Sequence, residues 1–357
     1  MRNGFWRLCA LGLAAVLLVA GQARAQEPGR VEVFLGQDAD TGIARVYFMD
    51  PLSGLSTLVA AENGQYFTLV GDYVLYEKAG TGAVMRANAS GTLEPHPFIR
   101  RLVDTRALYW VTSPDGAAVA WVRVNTAGIS EAYVAWADGS DLRQLPISTP
   151  GSGLDLFPLA LTNDRTFFYD AAHTPGNTPY DQFAHVAAYS VEQETFFTLP
   201  GEPNCPCGAA ITPDGRFFAR LEGAQGQGPF VLHAWDLPTE ADIRIPAPAL
   251  SYRIGGDLVL NDTGRLAAYS VAAGVGPEAG IMPEQYALVV VDAAAGRQVV
   301  ALAPDTTRYR PVAFIDDDSA LLLAGVSAPG TYKLDLTSTN LWRVSDETYL
   351  GAISTGP

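Results

Sequence analysis

Short apolar stretches recur along the chain, and most carry β-branched or aromatic residues at alternate positions. VEVFLG from Val31, AAVAWVRV from Ala117 and RFFARLEG from Arg216 are examples. Such stretches predict strands rather than helices. They are separated by turn chemistry. Ser113-Pro114-Asp115-Gly116 and Thr212-Pro213-Asp214-Gly215 each join two strands. Pro presets the backbone, Asp bonds it locally and Gly takes positive φ. Weaker copies are Thr162-Asn163-Asp164-Arg165, Asn261-Asp262-Thr263-Gly264 and Asp316-Asp317-Asp318-Ser319.

A second turn repeats more completely. It follows Tyr47-Phe48-Met49-Asp50, Val84-Met85-Arg86-Ala87, Val134-Ala135-Trp136-Ala137 and Ala187-Ala188-Tyr189-Ser190. It returns after His233-Ala234-Trp235-Asp236, Val289-Val290-Val291-Asp292 and Tyr332-Lys333-Leu334-Asp335. Each copy leads into one more short strand. Seven copies at roughly 47 residues apiece predict an all-β fold, a seven-bladed β-propeller of four-stranded blades. The first copy lacks an innermost strand. The apolar stretch Thr348–Ile353 is expected to supply it, closing the ring so that no backbone edge is left unpaired.

SPDG, then AAVAW, then ADGSDLRQL resembles the WD40-like repeat of TolB-type periplasmic proteins. The resemblance is closest in the third copy and extends over the rest as a periodicity. It implies a propeller scaffold that serves protein–protein contacts, and it brings no catalytic motif. The chain reads as a propeller standing alone. The α/β domain that precedes the propeller of TolB, and the hydrolase domain of the prolyl-oligopeptidase group, have no counterpart in the sequence.

The first 25 residues read differently. Arg2 and Arg7 precede an apolar run from Leu8 to Ala20, and Ala23-Arg24-Ala25 follows. This is the pattern of a secretory signal. The run is shorter than the roughly 20 residues that span a bilayer. The expected organisation is therefore a signal peptide at 1–25 and one propeller domain at 26–357, exported to the periplasm or beyond the cell, with no membrane segment after cleavage.

With 23 Lys and Arg against 38 Asp and Glu, the net charge is −15. An acidic chain is a poor match for the phosphate backbone, so nucleic acid is not an expected partner. A protein or cell-envelope component is.

Candidate chemistry lies in the blade-to-blade links. Arg106, Asp155, Cys205 and Arg308 fall about nine residues before the third position of the first turn. They are expected to ring the mouth of the central channel, with Arg253 and Arg310 close by and Arg100 and Arg101 in another link. Two arrangements fit. The arginines accept an anion, or they pair with acids of neighbouring blades, for which Asp104, Asp155, Glu278 and Asp305 are available. Cys205 and Cys207, one residue apart, are candidates for a disulfide. The longer loops, Ala171–Phe183, Glu222–Pro229 and Val271–Gln285, lie on the same face as the links, where binding usually sits.

No nucleophile elbow or zinc-protease motif is present. The four histidines have no metal-ligand spacing, and Asp38-Ala39-Asp40-Thr41-Gly42 lacks the remaining ligands of a calcium loop. No catalytic residue, metal or cofactor is assigned. The expected function is a binding scaffold. The alternative is a small lyase or hydrolase acting on an anionic substrate at the channel mouth.

Overall fold

The computed structural model describes residues 29–38, 40–149, 154–173, 180–201, 207–222, 231–246, 254–273, 285–293 and 295–354. Blade 1 contains β1 (Arg30–Gln37), β2 (Ala44–Met49) and β3 (Ser56–Ala61). Blade 2 is β4 (Gly64–Val70), β5 (Tyr73–Lys78), β6 (Ala83–Asn88) and β7 (Leu93–Pro95). Blade 3 is β8 (Thr105–Thr112), β9 (Ala118–Asn125), β10 (Ser130–Trp136) and β11 (Arg143–Thr149). Blade 4 is β12 (Asp155–Leu161), β13 (Thr166–His173), β14 (Val186–Ser190) and β15 (Thr195–Phe197). Blade 5 is β16 (Gly208–Ile211), β17 (Phe217–Glu222), β18 (Val231–Asp236) and β19 (Ala241–Pro246). Blade 6 is β20 (Ile254–Leu260), β21 (Leu266–Ala273), β22 (Gln285–Asp292) and β23 (Arg297–Asp305). Blade 7 is β24 (Tyr309–Ile315), β25 (Ala320–Gly325), β26 (Thr331–Asp335) and β27 (Leu341–Ser345). The last strand, β28 (Thr348–Ser354), returns to blade 1.

Every blade is a four-stranded antiparallel meander, and the sheet of blade 1 runs β28-β1-β2-β3. The protein is a seven-bladed β-propeller, as the repeats predict. The C-terminal stretch is the innermost strand that the first repeat lacks. β28 pairs with β1 from Arg30↔Ser354 to Leu35↔Thr348. The Tyr349 hydroxyl donates to Glu32 Oε2 at 2.8 Å, and the Tyr349 N–H donates to Thr331 Oγ1 of blade 7 at 2.8 Å. No helix among the described residues is long and apolar enough to cross a membrane.

Burial explains why the strands read as they do. The second strands lie between two blades, so both of their faces are covered. Val119, Ala120, Trp121, Val122 and Val124 of β9 are all buried. Their side chains divide between two cores. Val119 and Trp121 pack toward blade 2, and Ala120, Val122 and Val124 pack toward blade 4. Outermost strands face water on one side, and β15 is exposed along its whole length.

The first turn keeps its shape where its residues drift. Gly116 N–H donates to Ser113 O at 2.8 Å, and Gly215 repeats this with Thr212 O at 2.9 Å. In the weaker copies, Arg165 N–H bonds Thr162 O and Gly264 N–H bonds Asn261 O. Arg165 accepts a left-handed φ of 58° where three of the other four copies have Gly. Its side chain is buried against Asp141 and Glu192, and its guanidinium lies 4.3 Å from the Trp136 ring. These contacts offset a backbone cost of about 1 kcal/mol. The turns also bond from blade to blade. Gly71 N–H donates to Gly116 O, Asp115 N–H to Asn163 Oδ1, Asn163 N–H to Pro213 O and Asn261 Nδ2 to Asp318.

The second turn aligns less simply than the sequence implies. Ser113 N–H bonds Ala118 O and Thr212 N–H bonds Phe217 O, which makes Ala118 and Phe217 equivalent. Their partners across the sheet are Trp136 and Asp236. Trp235 therefore corresponds to Ala135, not to Trp136. Trp136 packs toward the following blade and Trp235 toward the preceding one. A slip of one residue reverses the face.

Candidate functional site: the channel mouth

Each innermost strand begins at a blade-to-blade link, so its first residues gather at one end of the channel. β8 starts beside Arg106, β12 at Asp155, β20 just before Asp257 and β24 beside Arg308 and Arg310. Six of the seven innermost strands carry a register shift, β16 being the one without. Bulges re-aim side chains. They set Tyr66 and Asp257 in left-handed backbone, at φ of 58° and 53°.

The arginines are paired across blades. Arg106 of blade 3 donates from Nη2 to Asp155 Oδ1 of blade 4, and the Tyr109 hydroxyl donates to Asp155 Oδ2 at 3.2 Å. Asp155 is buried, whereas the Arg106 side chain is half exposed. Burial, with the Asp155 carboxylate adding to it, pushes the Tyr109 phenol up to about 12. Arg101 continues the chain. Its Nη2 donates to Arg106 O at 2.7 Å and its Nη1 to the buried Glu77 of blade 2 at 3.0 Å.

On the other side of the mouth, Arg308 of blade 7 donates to Asp257 Oδ2 of blade 6, from Nη2 at 2.7 Å and from Nε at 3.3 Å. Both side chains are mostly buried, 14% and 11% exposed. The guanidinium lies 4.6 Å from the Tyr180 ring. Tyr180 fits because residue 256 is Gly: a Cβ there would come within 2.5 Å of the Tyr180 Cβ. Burial raises the Asp257 carboxyl above its ordinary range. Arg308 and Arg310 pull it down, and Asp181 pushes it up.

Asp170 is a further buried acid here. It accepts N–H bonds from Ala172, Ala184 and His185, each at 3.1 Å, and so ties both ends of the β13–β14 loop. Burial works to raise its carboxyl, but His173 and these backbone donors outweigh it and hold it below the usual carboxylate range. The His173 ring is stacked 4.3 Å from Phe157, and its Nδ1 lies 3.6 Å from Asp170 Oδ2.

Of the residues expected at the mouth, Arg106, Asp155, Arg308 and Arg310 are placed there. Arg106 and Asp155 meet directly, while Arg310 is exposed beside the Arg308–Asp257 pair. Arg253 and Cys205 lie outside the described residues, as do the signal segment and most of the three long loops. Cys207 is disulfide-bonded, its partner sulfur lying outside the described residues. Arg100 turns back onto Pro97 O, and Asp104 pairs with Arg123 rather than with a link arginine. His185 immediately precedes β14, whereas His233 is buried in β18 between Glu222 and Asp242.

Sequence reasoning missed Asp257, Asp170, Glu77 and Tyr66. The signal available for the three acids was a charge inside an otherwise apolar strand, as in IGGDLVL, TFFYDAAH and YVLYEK. Tyr66 is 66% exposed on an innermost strand and makes an edge contact with Trp110 at 6.5 Å. Among the described residues, no group of three or more His, Cys, Asp or Glu is arranged to hold a metal ion.

No model of a protein family matches the sequence, nor does any curated protein. Solved structures do match. Prolyl endopeptidases superpose with a TM-score of 0.64 at 12% identity over 93% of this chain and 50% of theirs. An oligogalacturonate lyase in complex with manganese reaches 0.57 at 15% identity, over 85% and 95%. TolB from Acinetobacter baumannii reaches 0.45 at 14% identity, over 76% and 62%. At these identities the first two likenesses show the fold alone. A propeller is the architecture that the TolB-type resemblance implies, and the count of seven blades is the one that the turn repeats predict.

Proposed function

We propose that this chain is an exported β-propeller that binds a segment of a protein or envelope component at its channel mouth. The observation that carries this reading is Tyr66. A large side chain is 66% exposed on an innermost strand, in backbone that costs about 1 kcal/mol to hold. Strain kept at an exposed aromatic is a mark of a binding position. The half-exposed Arg106 and the exposed Arg310 supply charge on the same face. The enzymatic alternative calls for arginines converging unpaired on one pocket, and Arg106 and Arg308 are each held by a carboxylate of an adjacent blade. The export signal and the TolB-type repeats agree with a periplasmic or extracellular setting.

The test is photo-crosslinking in cells. Benzoylphenylalanine at position 66 should give one discrete adduct that disappears with Arg106→Ala, while the same probe at the exposed Leu93 of β7 gives none. Equal labelling at both positions, or no adduct at 66, overturns the proposal.

A further inference from the structure

A second site lies on the flank of the ring, away from the mouth. At the junction of blades 2 and 3 the link fills the space between sheets. Ile99 is fully buried, and the Phe98 ring sits 4.4 Å from His96 and 5.7 Å from Trp121. At the junction of blades 4 and 5 the link supplies Leu199 and Pro200 instead, and a groove of about 800 Å³ stays open. Phe168, Ala188, Trp235 and Leu237 form its apolar floor. Phe197, on the three-residue edge strand β15, stands at its margin and is 42% exposed.

Charge decides what fits. Every ionisable side chain lining the groove is acidic: Asp164, Asp214, Glu240 and Asp242. The neighbouring arginines are engaged elsewhere, Arg165 with Asp141 and Glu192, and Arg216 with Asp236. Asp164 and Asp214 sit in the first turns of two adjacent blades, each accepting a hydroxyl and a backbone N–H. Glu240 and Asp242 lie at the start of β19, and the Asp242 side chain is 51% exposed. An apolar trough between carboxylates on both walls complements a strand-like segment whose apolar residues alternate with Lys or Arg.

We infer that this inter-blade groove is a docking site for a basic, apolar-anchored peptide segment of a partner protein. It is independent of the channel mouth, since no residue is shared between the two. The acids supply attraction and orientation, and the floor supplies the burial that holds the complex.

The probe is a fluorescein-labelled decapeptide of alternating Lys and Leu with one central Trp, compared with its Glu counterpart at physiological salt. The Lys peptide should bind one-to-one by fluorescence anisotropy, and the Glu peptide should not bind. Hydrogen-exchange protection should fall on residues 186–200 and 231–246. Thr166→Trp, which fills the groove and leaves the charge unchanged, should weaken binding at least tenfold. Glu240→Lys with Asp242→Lys should do the same. Phe197→Ala, on an exposed edge strand, is the second variant should Thr166→Trp fail to fold. Full-strength binding to the filled groove, equal binding of the Glu peptide, or protection elsewhere would overturn the inference. So would a concentration-dependent dimer that Thr166→Trp abolishes, because the groove's occupant would then be a second copy.

Discussion

Arg308→Met removes one partner of the most buried ion pair at the mouth and keeps the apolar stem over Tyr180. Asp257 is then left with 11% of its side chain exposed and, among the described residues, no cation in contact. Arg310 acts on it through space without touching it. Breaking such a pair from one side costs about 3 kcal/mol, most of it the price of an uncompensated buried carboxylate. The pH dependence gives the argument its sign. Burial already holds the Asp257 carboxyl above its ordinary range, and losing Arg308 raises it further. A carboxyl raised in the folded state binds protons better there than in the unfolded chain, so its contribution is present at low pH and is lost as pH climbs through its folded value. The deficit of Arg308→Met relative to the parent should therefore be small near pH 4.5 and full by pH 8. Urea unfolding across that range, followed by tryptophan fluorescence, measures it. Adding Asp257→Asn should recover at least half of the loss at pH 8. A deficit independent of pH, or a double variant as unstable as the single one, would refute the reasoning.

Two further outcomes follow from the same face. Asp170→Asn removes the charge that three backbone N–H groups and His173 favour, which should cost about 2 kcal/mol at neutral pH. Its carboxyl is depressed in the fold, so that contribution is lost as pH falls, and acid titration of both proteins should show their stabilities converging below about pH 4. Gly256→Ala places a Cβ within 2.5 Å of Tyr180 and should lower stability by about 2 kcal/mol. Exchange protection should drop at Tyr180 and Arg308 in that variant. Unchanged protection there would show that Tyr180 is not seated on residue 256.

The scaffold was legible because its signals are local. Ser113-Pro114-Asp115-Gly116 needs only its own four residues to specify a turn, and the apolar stretch Thr348–Ile353 had one unpaired edge to fill. That Arg106 and Asp155 stand at equivalent places early in innermost strands could be read from the repeat spacing, whereas their meeting as an ion pair was one of two arrangements left open. Spacing failed at Arg308. Its acid, Asp257, lies inside the register shift between Gly256 and Val259. Bulges arise where strands crowd around the axis, a constraint imposed by the whole ring and absent from any one repeat. The alignment of the second turns set Trp136 against Trp235 for a different reason: matching residue types hid an offset of one position between two regular strand pairs. Tyr66 could not be anticipated either, because nothing in GQYFTLV distinguishes an exposed aromatic from its buried neighbours.

The pairing of β28 with β1 has a consequence for how the ring is made. Blades 2 to 7 are each continuous in sequence, so each can assemble from nearby strands as it emerges during synthesis. Blade 1 joins Arg30 to Ser354, about 320 residues apart. Contacts of such long range are slow to form, since the closure entropy must be met before the pairing rewards it. The ring should therefore close last. Until it does, β1 offers its bare hydrogen-bonding edge to any passing strand, and the late intermediate, more than the finished protein, is the species at risk of aggregation.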